Sequence, residues 1–600
     1  MARSLIMSRP DLDFCLYEWL RVEELTKRDR FAQHDRATFD ALLDLSEQVA
    51  TERFAPINRA TDLCEPEVDA DGRVVLAPGV AEAVAAYTQT GLPSAVFDDD
   101  LGGLQLPLAV RAACGAWFQA ACLSAYSYAF LAEGNASLVA AHGTREQAET
   151  YARPIVEGRW FGTMCLSEPH AGSSLTDITT RAVRGPDGTY RITGTKMWIS
   201  AGDHELGENI VHLVLARTPG AAAGVKGISL FIVPRFLLDE RGRPAERNDV
   251  ALAGLNHKMG YRGTANTVLA FGQGAWTPGG HPGAVGFLVG KEGAGLALMF
   301  HMMNEARISV GAGAMALGYT GYLHALDYAR ERVQGRPLGA KDPAAPPVPL
   351  VEHPDVRRML LAQKSYAEGA LGLVLYCARL IDEERTAPGE AERRTAHDLL
   401  DILTPIVKSW PAQWCLAAND LAIQIHGGAG YTRDHPVEQF YRDNRLNAIH
   451  EGTHGIQALD LLGRKAVRDD GRALAALAAA VRDTIGRAAA AGGDAATYAG
   501  ELGRVLDDLL DVTQALWRAG DPRIALSNAT AYLEAAGHLV VAWIWLDQLV
   551  AVGAATGPFA AGKRAAARYF FRFELPAVGP RLDLLRSLDA TTRDLDPDVL

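Results

Sequence analysis

The sequence predicts an α+β chain in which helical regions flank a β-rich one, and three observations carry that prediction. Ala- and Leu-rich stretches with apolar residues at helical spacing fill the chain to about residue 158 and again from about 297 onward. Between 160 and 290, β-branched runs and period-two alternation take over, punctuated by turn residues. Six hundred residues are too many for one hydrophobic core, so two to four domains are expected. The expected order is a helical region (1–158), a β region (159–290), a second helical region (291–464) and an additional helical region (465–600).

In the first region Phe39, Leu42, Leu43, Leu45, Ser46 and Val49 fall at helical spacing. Pro56 and the PEVDADGR stretch break the pattern, and Ala81 to Thr90 resumes it. Asp98-Asp-Asp-Leu-Gly-Gly-Leu reads as a loop. Leu108 to Ala141 is long, Ala-rich and apolar on more than one face, which suits helices packed in a bundle. In the β region Tyr190 to Ser200 alternates after the turn at Pro186-Asp-Gly, and Ile210 to Leu215 and Ile228 to Val233 are β-branched runs. Helical spacing returns through Met315, Leu317, Tyr322, Leu326 and Tyr328. The Pro-rich loop Pro343 to Pro349 separates it from a helix over Val356 to Glu384. A further helix, Ala396 to Ile425, ends at Gly427-Gly428, a reasonable C-cap. The last region is cut at Ala490-Ala-Gly-Gly-Asp and Gly520-Asp-Pro, and no repeat of fixed period occurs.

A net charge of −13 argues against nucleic-acid binding, which needs excess Lys and Arg. The seven cysteines are scattered without C-x-x-C spacing, which points to a reducing compartment. The N-terminal MARSLIMSRPDLDF lacks the apolar run of a signal peptide, so a cytoplasmic location is expected. Leu539 to Ala555 is strongly apolar but carries Asp547 and Gln548; it reads as a buried helix, and no integral membrane segment is expected.

Taken singly, the motifs are ambiguous. No G-x-G-x-x-G follows a strand, and Gly286 to Glu292 is too short for a P-loop. Gly427-Gly-Ala-Gly suits either a phosphate cradle or a tight turn between helices. Cys165-Leu-Ser-Glu-Pro-His-Ala-Gly-Ser-Ser and Gly194-Thr-Lys-Met-Trp-Ile-Ser offer small hydroxyls and an indole to a flat aromatic ligand, or simply core and turn. His450-Glu-Gly-Thr-His454 spells the zinc-peptidase string H-E-x-x-H, which works only on a helix. Here Gly-Thr fills its middle and no third ligand is evident, so no metal is expected.

Together these blocks resemble the acyl-CoA dehydrogenase family. Cys165 to Asp177 is similar to its first signature, Gly194 to Ser200 to its flavin-stacking strand, and Met259-Gly-Tyr-Arg-Gly-Thr to a turn of its β domain. Asn304-Glu-Ala-Arg307 resembles the helix facing CoA, Arg332-Val-Gln-Gly the R-x-Q-F-G motif without its Phe, and Gln424 to Asp443 the second signature. Ala448-Ile-His-Glu-Gly-Thr resembles the catalytic turn. The blocks keep the family's order over residues 40 to 463. Gln439 departs where the signature has a basic residue, and Gly455 where many members have a flavin-contacting Gln. Phe14 to Leu20 and the region 465–600 look like the family's longer branch, which includes 3-methylmercaptopropionyl-CoA dehydrogenases and broad-range fatty acyl-CoA dehydrogenases.

The resemblance implies a helical N-terminal domain, a central β-barrel-like domain, a C-terminal four-helix bundle and an additional helical domain. It implies FAD-dependent conversion of an acyl-CoA to its trans-2-enoyl-CoA, with Glu451 as the base and the flavin as hydride acceptor. Ala306 stands where a few members carry the base instead, and it cannot act as one. Leu166, Ser167, Ser173, Trp198, Ile199, Ser200 and Thr453 are implied in flavin contact, and Arg332, Gln424, Gly427 and Gly428 in binding the diphosphate and adenosine of a neighbouring subunit's FAD. Ser173, Asn304, Arg307 and Gly452 are implied on the substrate side. A homodimer or larger oligomer and an electron-transfer flavoprotein as acceptor follow from the same resemblance; an oxygen-using acyl-CoA oxidase shares the chemistry and stays open, as does 3-methylmercaptopropionyl-CoA as the specific substrate.

Overall fold

The computed structural model describes residues 4–340, 342, 344–518 and 520–600. Pro343 of the Pro-rich loop lies outside the described residues, as do Met1, Ala2 and Arg3 of the N-terminal stretch. The chain forms two compact units, each discontinuous in sequence. One holds 37–106 and 121–306; the other holds the N-terminal segment to Arg36, residues 107–120 and residues 307–600.

In the first unit α1 (Arg36–Val49) and α2 (Val80–Gln89) are amphipathic; of α3 (Leu108–His142), the residues from 121 on belong to this unit. The helical stretch is broken at Cys122, whose φ/ψ of −161°/89° leave the helical region. Its second stretch is pinned to the sheet by buried polar groups. Asn135 Nδ2 donates to the carbonyls of Thr163 (3.0 Å) and Val211 (2.9 Å), and the Tyr128 hydroxyl donates to the Gly263 carbonyl (3.1 Å).

The strands of the main sheet are β1 (Phe161–Cys165), β2 (Arg181–Arg184), β3 (Tyr190–Ser200), β4 (Ile210–Arg217), β5 (Ile228–Pro234), β6 (Val250–Leu255), β7 (Asn266–Phe271) and β8 (Ala284–Val289). They pair in the order β6-β7-β3-β8-β5-β4-β1, and β2 pairs with both β3 and β4. The pairings β3–β8–β5–β4–β2 therefore return to β3, which gives the region its barrel-like character. β4 and β5 are buried on both faces along nearly their whole length, which is why they read as unbroken apolar runs. Ile192, Ile199, Val214, Phe231 and Phe271 meet in the core they enclose.

The second unit is helical. Its bundle takes the later part of α4 (Gly295–Glu331) with α5 (Pro354–Thr386), α6 (Glu390–His426), α7 (Val437–Arg445) and α8 (His454–Asp460). Small residues bring α4 against α6: a Cβ at Gly311 would lie 2.0 Å from the Val407 carbonyl oxygen, and one at Gly318 would lie 2.6 Å from the Cys415 Cβ. Pro411, inside α6, has no N–H to give that Val407 carbonyl, and Gly311 backs onto the gap. Buried asparagines tie α4, α6 and α7 together: Asn419 Nδ2 donates to the Leu317 carbonyl (2.8 Å), and Asn444 Nδ2 to Asn419 Oδ1 (2.7 Å) and the Ala314 carbonyl (3.1 Å).

Onto this bundle fold α9 (Arg468–Ala491), α10 (Gly493–Trp517), α11 (Ala529–Val552), α12 (Pro558–Tyr569) and α13 (Val578–Arg586). α11 is their centre. Its Trp545 Nε1 reaches the Ser365 carbonyl on α5 (3.1 Å), and His538 stands edge-on to Trp414 of α6 at 4.7 Å. α3 and α11 are long and apolar enough to cross a membrane, but both are mostly buried inside the fold, as a buried helix at Leu539 to Ala555 requires.

Candidate active site

In the helical unit, α7 ends in a short turn at Leu446–Ala448, and the chain then passes through Glu451 and Gly452 before α8 begins. Thr453 caps α8, its hydroxyl accepting from the Ile456 N–H (3.5 Å). Glu451 and Gly452 are both left-handed, with φ of 54° and 92°. For a glutamate this costs about 1–2 kcal/mol, so other contacts must hold the turn. Gln457 Nε2 donates to the Glu451 carbonyl (3.0 Å), and Lys408 Nζ, from α6, donates to the Gly452 carbonyl (2.5 Å).

The Glu451 side chain is half-buried. Burial raises its pKa above the usual glutamate value, against the lowering pull of Lys408 and Arg307. A carboxylate with raised proton affinity in a strained turn suits a general base. The flanking histidines do not: burial first, then the Lys408 charge, pushes His450 down to about 3 and His454 to about 4. They also share no helix, because α8 starts only at His454, so the H-E-x-x-H spacing lacks the helical face it needs. Arg307 is 4% exposed and pairs with Asp460 at 3.0 Å. Asn304, on α4 within the strand-rich unit, is half-buried.

On the surface of the same helical unit, Gly427 takes φ 60° as α6 ends, and a Cβ at Gly427 or Gly428 would meet nothing within 4 Å. Gln424 and Arg332 are exposed. These four groups leave backbone and guanidinium open to a polyanion.

In the strand-rich unit the second set of expected residues gathers around β3. Its pairing with β7 steps from Thr267↔Ile199 to Leu269↔Lys196, so β3 bulges at Met197-Trp198. Trp198 sits in the bulge at φ 65°, with 58% of its surface exposed, while Ile199 turns into the core. The Met197 N–H donates to the Ser167 carbonyl (2.9 Å), joining the Leu166-Ser167 turn to the bulge. Behind both, Lys196 and Glu168 form a buried ion pair at 3.0 Å, and Lys196 also donates to the Leu166 carbonyl (2.9 Å). Ser173 is exposed nearby in sequence, and a Cβ at Gly172 would meet open space. An exposed indole beside small residues is a platform for a planar ring system, and FAD carries one.

Three family profiles match in succession: "Acyl-CoA dehydrogenase, middle domain" over residues 163–273, "Acyl-CoA dehydrogenase, C-terminal domain" over 293–466, and "Acetyl-CoA dehydrogenase C-terminal like" over 477–596. A 3-methylmercaptopropionyl-CoA dehydrogenase of Ruegeria pomeroyi is 37% identical over 88% of this chain and 87% of its own. This chain belongs to the acyl-CoA dehydrogenase family. The broad-specificity linear acyl-CoA dehydrogenase FadE5 of Mycobacterium tuberculosis is 36% identical over 98% of both chains. An acyl-CoA dehydrogenase of Bacillus anthracis, solved with FAD, shares the fold with a TM-score of 0.73 at 18% identity over 94% of this chain and 93% of its own. Caenorhabditis elegans ACDH-11, solved with C11-CoA, gives 0.71 at 18% identity over 98% and 94%. The protein is thus an oxidoreductase that dehydrogenates acyl-CoA, and FAD is its cofactor.

Two contributors to this acyl-CoA dehydrogenase's geometry escape a reading by motif. Lys408 is a single lysine in the apolar run Ile402 to Trp410, which is its one trace in sequence. Lys196 and Glu168 both stand in quoted motifs, but only the register of β3 makes them a pair.

Proposed function

We propose that Glu451 removes the α-proton of a saturated acyl-CoA thioester while the β-hydrogen leaves as hydride, giving the trans-2-enoyl-CoA. What carries this reading is the left-handed, half-buried Glu451 turn, whose carboxylate is held at raised proton affinity. FAD, when bound, supplies the hydride acceptor. The Glu451 N–H would donate to the thioester oxygen as negative charge develops there. Leu166, Ser167, Ser173, Trp198, Ile199, Ser200 and Thr453 would hold the flavin; Arg332, Gln424, Gly427 and Gly428 would bind the diphosphate and adenosine of a second copy's FAD, which makes the enzyme at least a homodimer. Ser173, Asn304, Arg307 and Gly452 would serve the substrate, with electron-transfer flavoprotein as the electron outlet.

Glu451→Gln decides the base. It should still purify with bound FAD, and its reduction by acyl-CoA should fall by about 10²–10⁴-fold; wild-type reduction rates would overturn the assignment. The near-equal identities to the Ruegeria and Mycobacterium relatives leave two substrate types to compare. A panel of linear acyl-CoAs, with 3-methylmercaptopropionyl-CoA included, ranks them by flavin reduction rate. Peroxide formation at the rate of substrate loss would mark an oxidase instead.

A further inference from the structure

We propose that Lys408 is a positioning residue for the base: its buried ammonium, bonded to the Gly452 carbonyl, locks the Glu451 turn and supplies positive charge that favours the carboxylate's ionised form. The proposal rests on Glu451 being the base. Lys408 is wholly buried on α6, and its ammonium donates to the carbonyl that immediately follows Glu451. Among the described residues its bonded partner is the Gly452 carbonyl, and no carboxylate lies in ion-pair contact with it. A buried ammonium with only a carbonyl for company is costly unless something repays it. The left-handed Glu451 in the turn beside it is what it can repay.

The charges around the carboxylate sort cleanly. Lys408 and Arg307 are the cations that act on Glu451. Arg307 spends its charge on Asp460, 3.0 Å away on α8. His450 and His454 are held neutral near pH 7, so they add none. Of the two cations, Lys408 exerts the larger pull on Glu451, and Arg307 adds to it. Its own pKa is brought down to about 8 by burial, against the raising pull of Glu451, so it is charged at neutral pH. Gln457 clamps the turn from the opposite end without any charge, which separates shape from electrostatics.

A cation lowers a neighbouring carboxylate's pKa, so deleting it raises that pKa. The limb of kcat that reports base ionisation should then move alkaline. Lys408→Gln deletes the charge and keeps a donor for the Gly452 carbonyl; Lys408→Met deletes both. The limb should move up by about one pH unit in both variants, the size of a nearby charge's effect, while KM for the acyl-CoA stays within about threefold. Lys408→Arg should hold the limb at the wild-type position. Amide exchange over residues 449–453 should quicken in Lys408→Met and much less in Lys408→Gln. FAD content and a thermal melt identify variants that fold. An unmoved limb in a folded Lys408→Gln overturns the role of Lys408, provided Glu451→Gln is inactive. An active Glu451→Gln removes the underlying base assignment instead.

Discussion

Glu168 shows at the residue scale how much stability one side chain can anchor. It accepts from the Thr179 N–H (2.8 Å) and hydroxyl (2.9 Å), from the Thr180 N–H (3.0 Å) and hydroxyl (2.5 Å), and from Lys196 (3.0 Å). Burial alone would raise its pKa, but Lys196 and the threonine donors outweigh burial and hold it at about 2. Its folded pKa lies below the ordinary 4.5, so its contribution is fully present above about 4.5 and is lost as pH falls toward 2. Lys196→Met leaves the buried carboxylate without its cation. It should cost about 3–5 kcal/mol in urea denaturation at neutral pH, and the acid-unfolding midpoint should move to higher pH. An unchanged midpoint in both would show that the threonines alone suffice. Glu451 could be singled out in the sequence because the block around it resembles the family's catalytic turn. Lys408 could not, because a lysine on a helix usually lies in water, and only the fold reveals that this one turns inward.

At the scale of elements, legibility followed periodicity. β3 was readable to its last residue because its sequence alternates, and the limits of α5 fell within two residues of those expected, whereas α6 starts six residues before the expected Ala396. The break in α3 was not readable, since Cys122 is neither glycine nor proline and the stretch is apolar on every side. The bulge in β3 is likewise a register effect that no local pattern announces. Gly311→Ala drives a Cβ to 2.0 Å from the Val407 carbonyl, so α4 must move off α6; overpacking of this kind costs about 1–3 kcal/mol, and a melt that is unchanged would mean the helices part freely. Gly428 is the opposite case. A Cβ there meets nothing and its φ is not left-handed, so Gly428→Leu should leave the melting temperature of the apoprotein nearly unchanged. It should still weaken FAD retention on gel filtration and, with it, self-association. Full FAD content in that variant would separate the glycine turn from the cofactor. The neighbouring Tyr431, 89% exposed, is available to the same surface.

At the scale of the molecule, the region after residue 465 had no motif to speak for it, and its relation to the N-terminal segment could not be read from composition. The structure joins them. Trp19 Nε1 donates to Asp547 of α11 (2.8 Å), and Phe14 lies against Phe559 of α12 with centroids 5.5 Å apart. The central joint is Lys563. Its wholly buried ammonium bonds Asp11 from the N-terminal segment, Glu368 of α5 (3.1 Å) and Gln548 of α11 (3.1 Å), and Asp11 also accepts from the Tyr319 hydroxyl of α4 (2.6 Å). Burial disfavours the ammonium, but Asp11 and Glu368 outweigh it and hold the pKa of Lys563 well above its ordinary 10.5. With the folded value raised, this stabilisation is complete below about 10.5 and is lost only as pH climbs past it. Lys563→Met at neutral pH removes the cation that four parts of the unit share. Lys364 still serves Glu368, but among the described residues the Asp11 carboxylate keeps only its hydroxyl partner. The expected loss is about 3–5 kcal/mol. Because the bundle, the last helices and the N-terminal segment belong to one compact unit, tryptophan fluorescence and circular dichroism should report it as one shared shift in urea midpoint. Two separated transitions, with the bundle unmoved, would instead make the residues after 465 an independent domain that merely rests on the catalytic one.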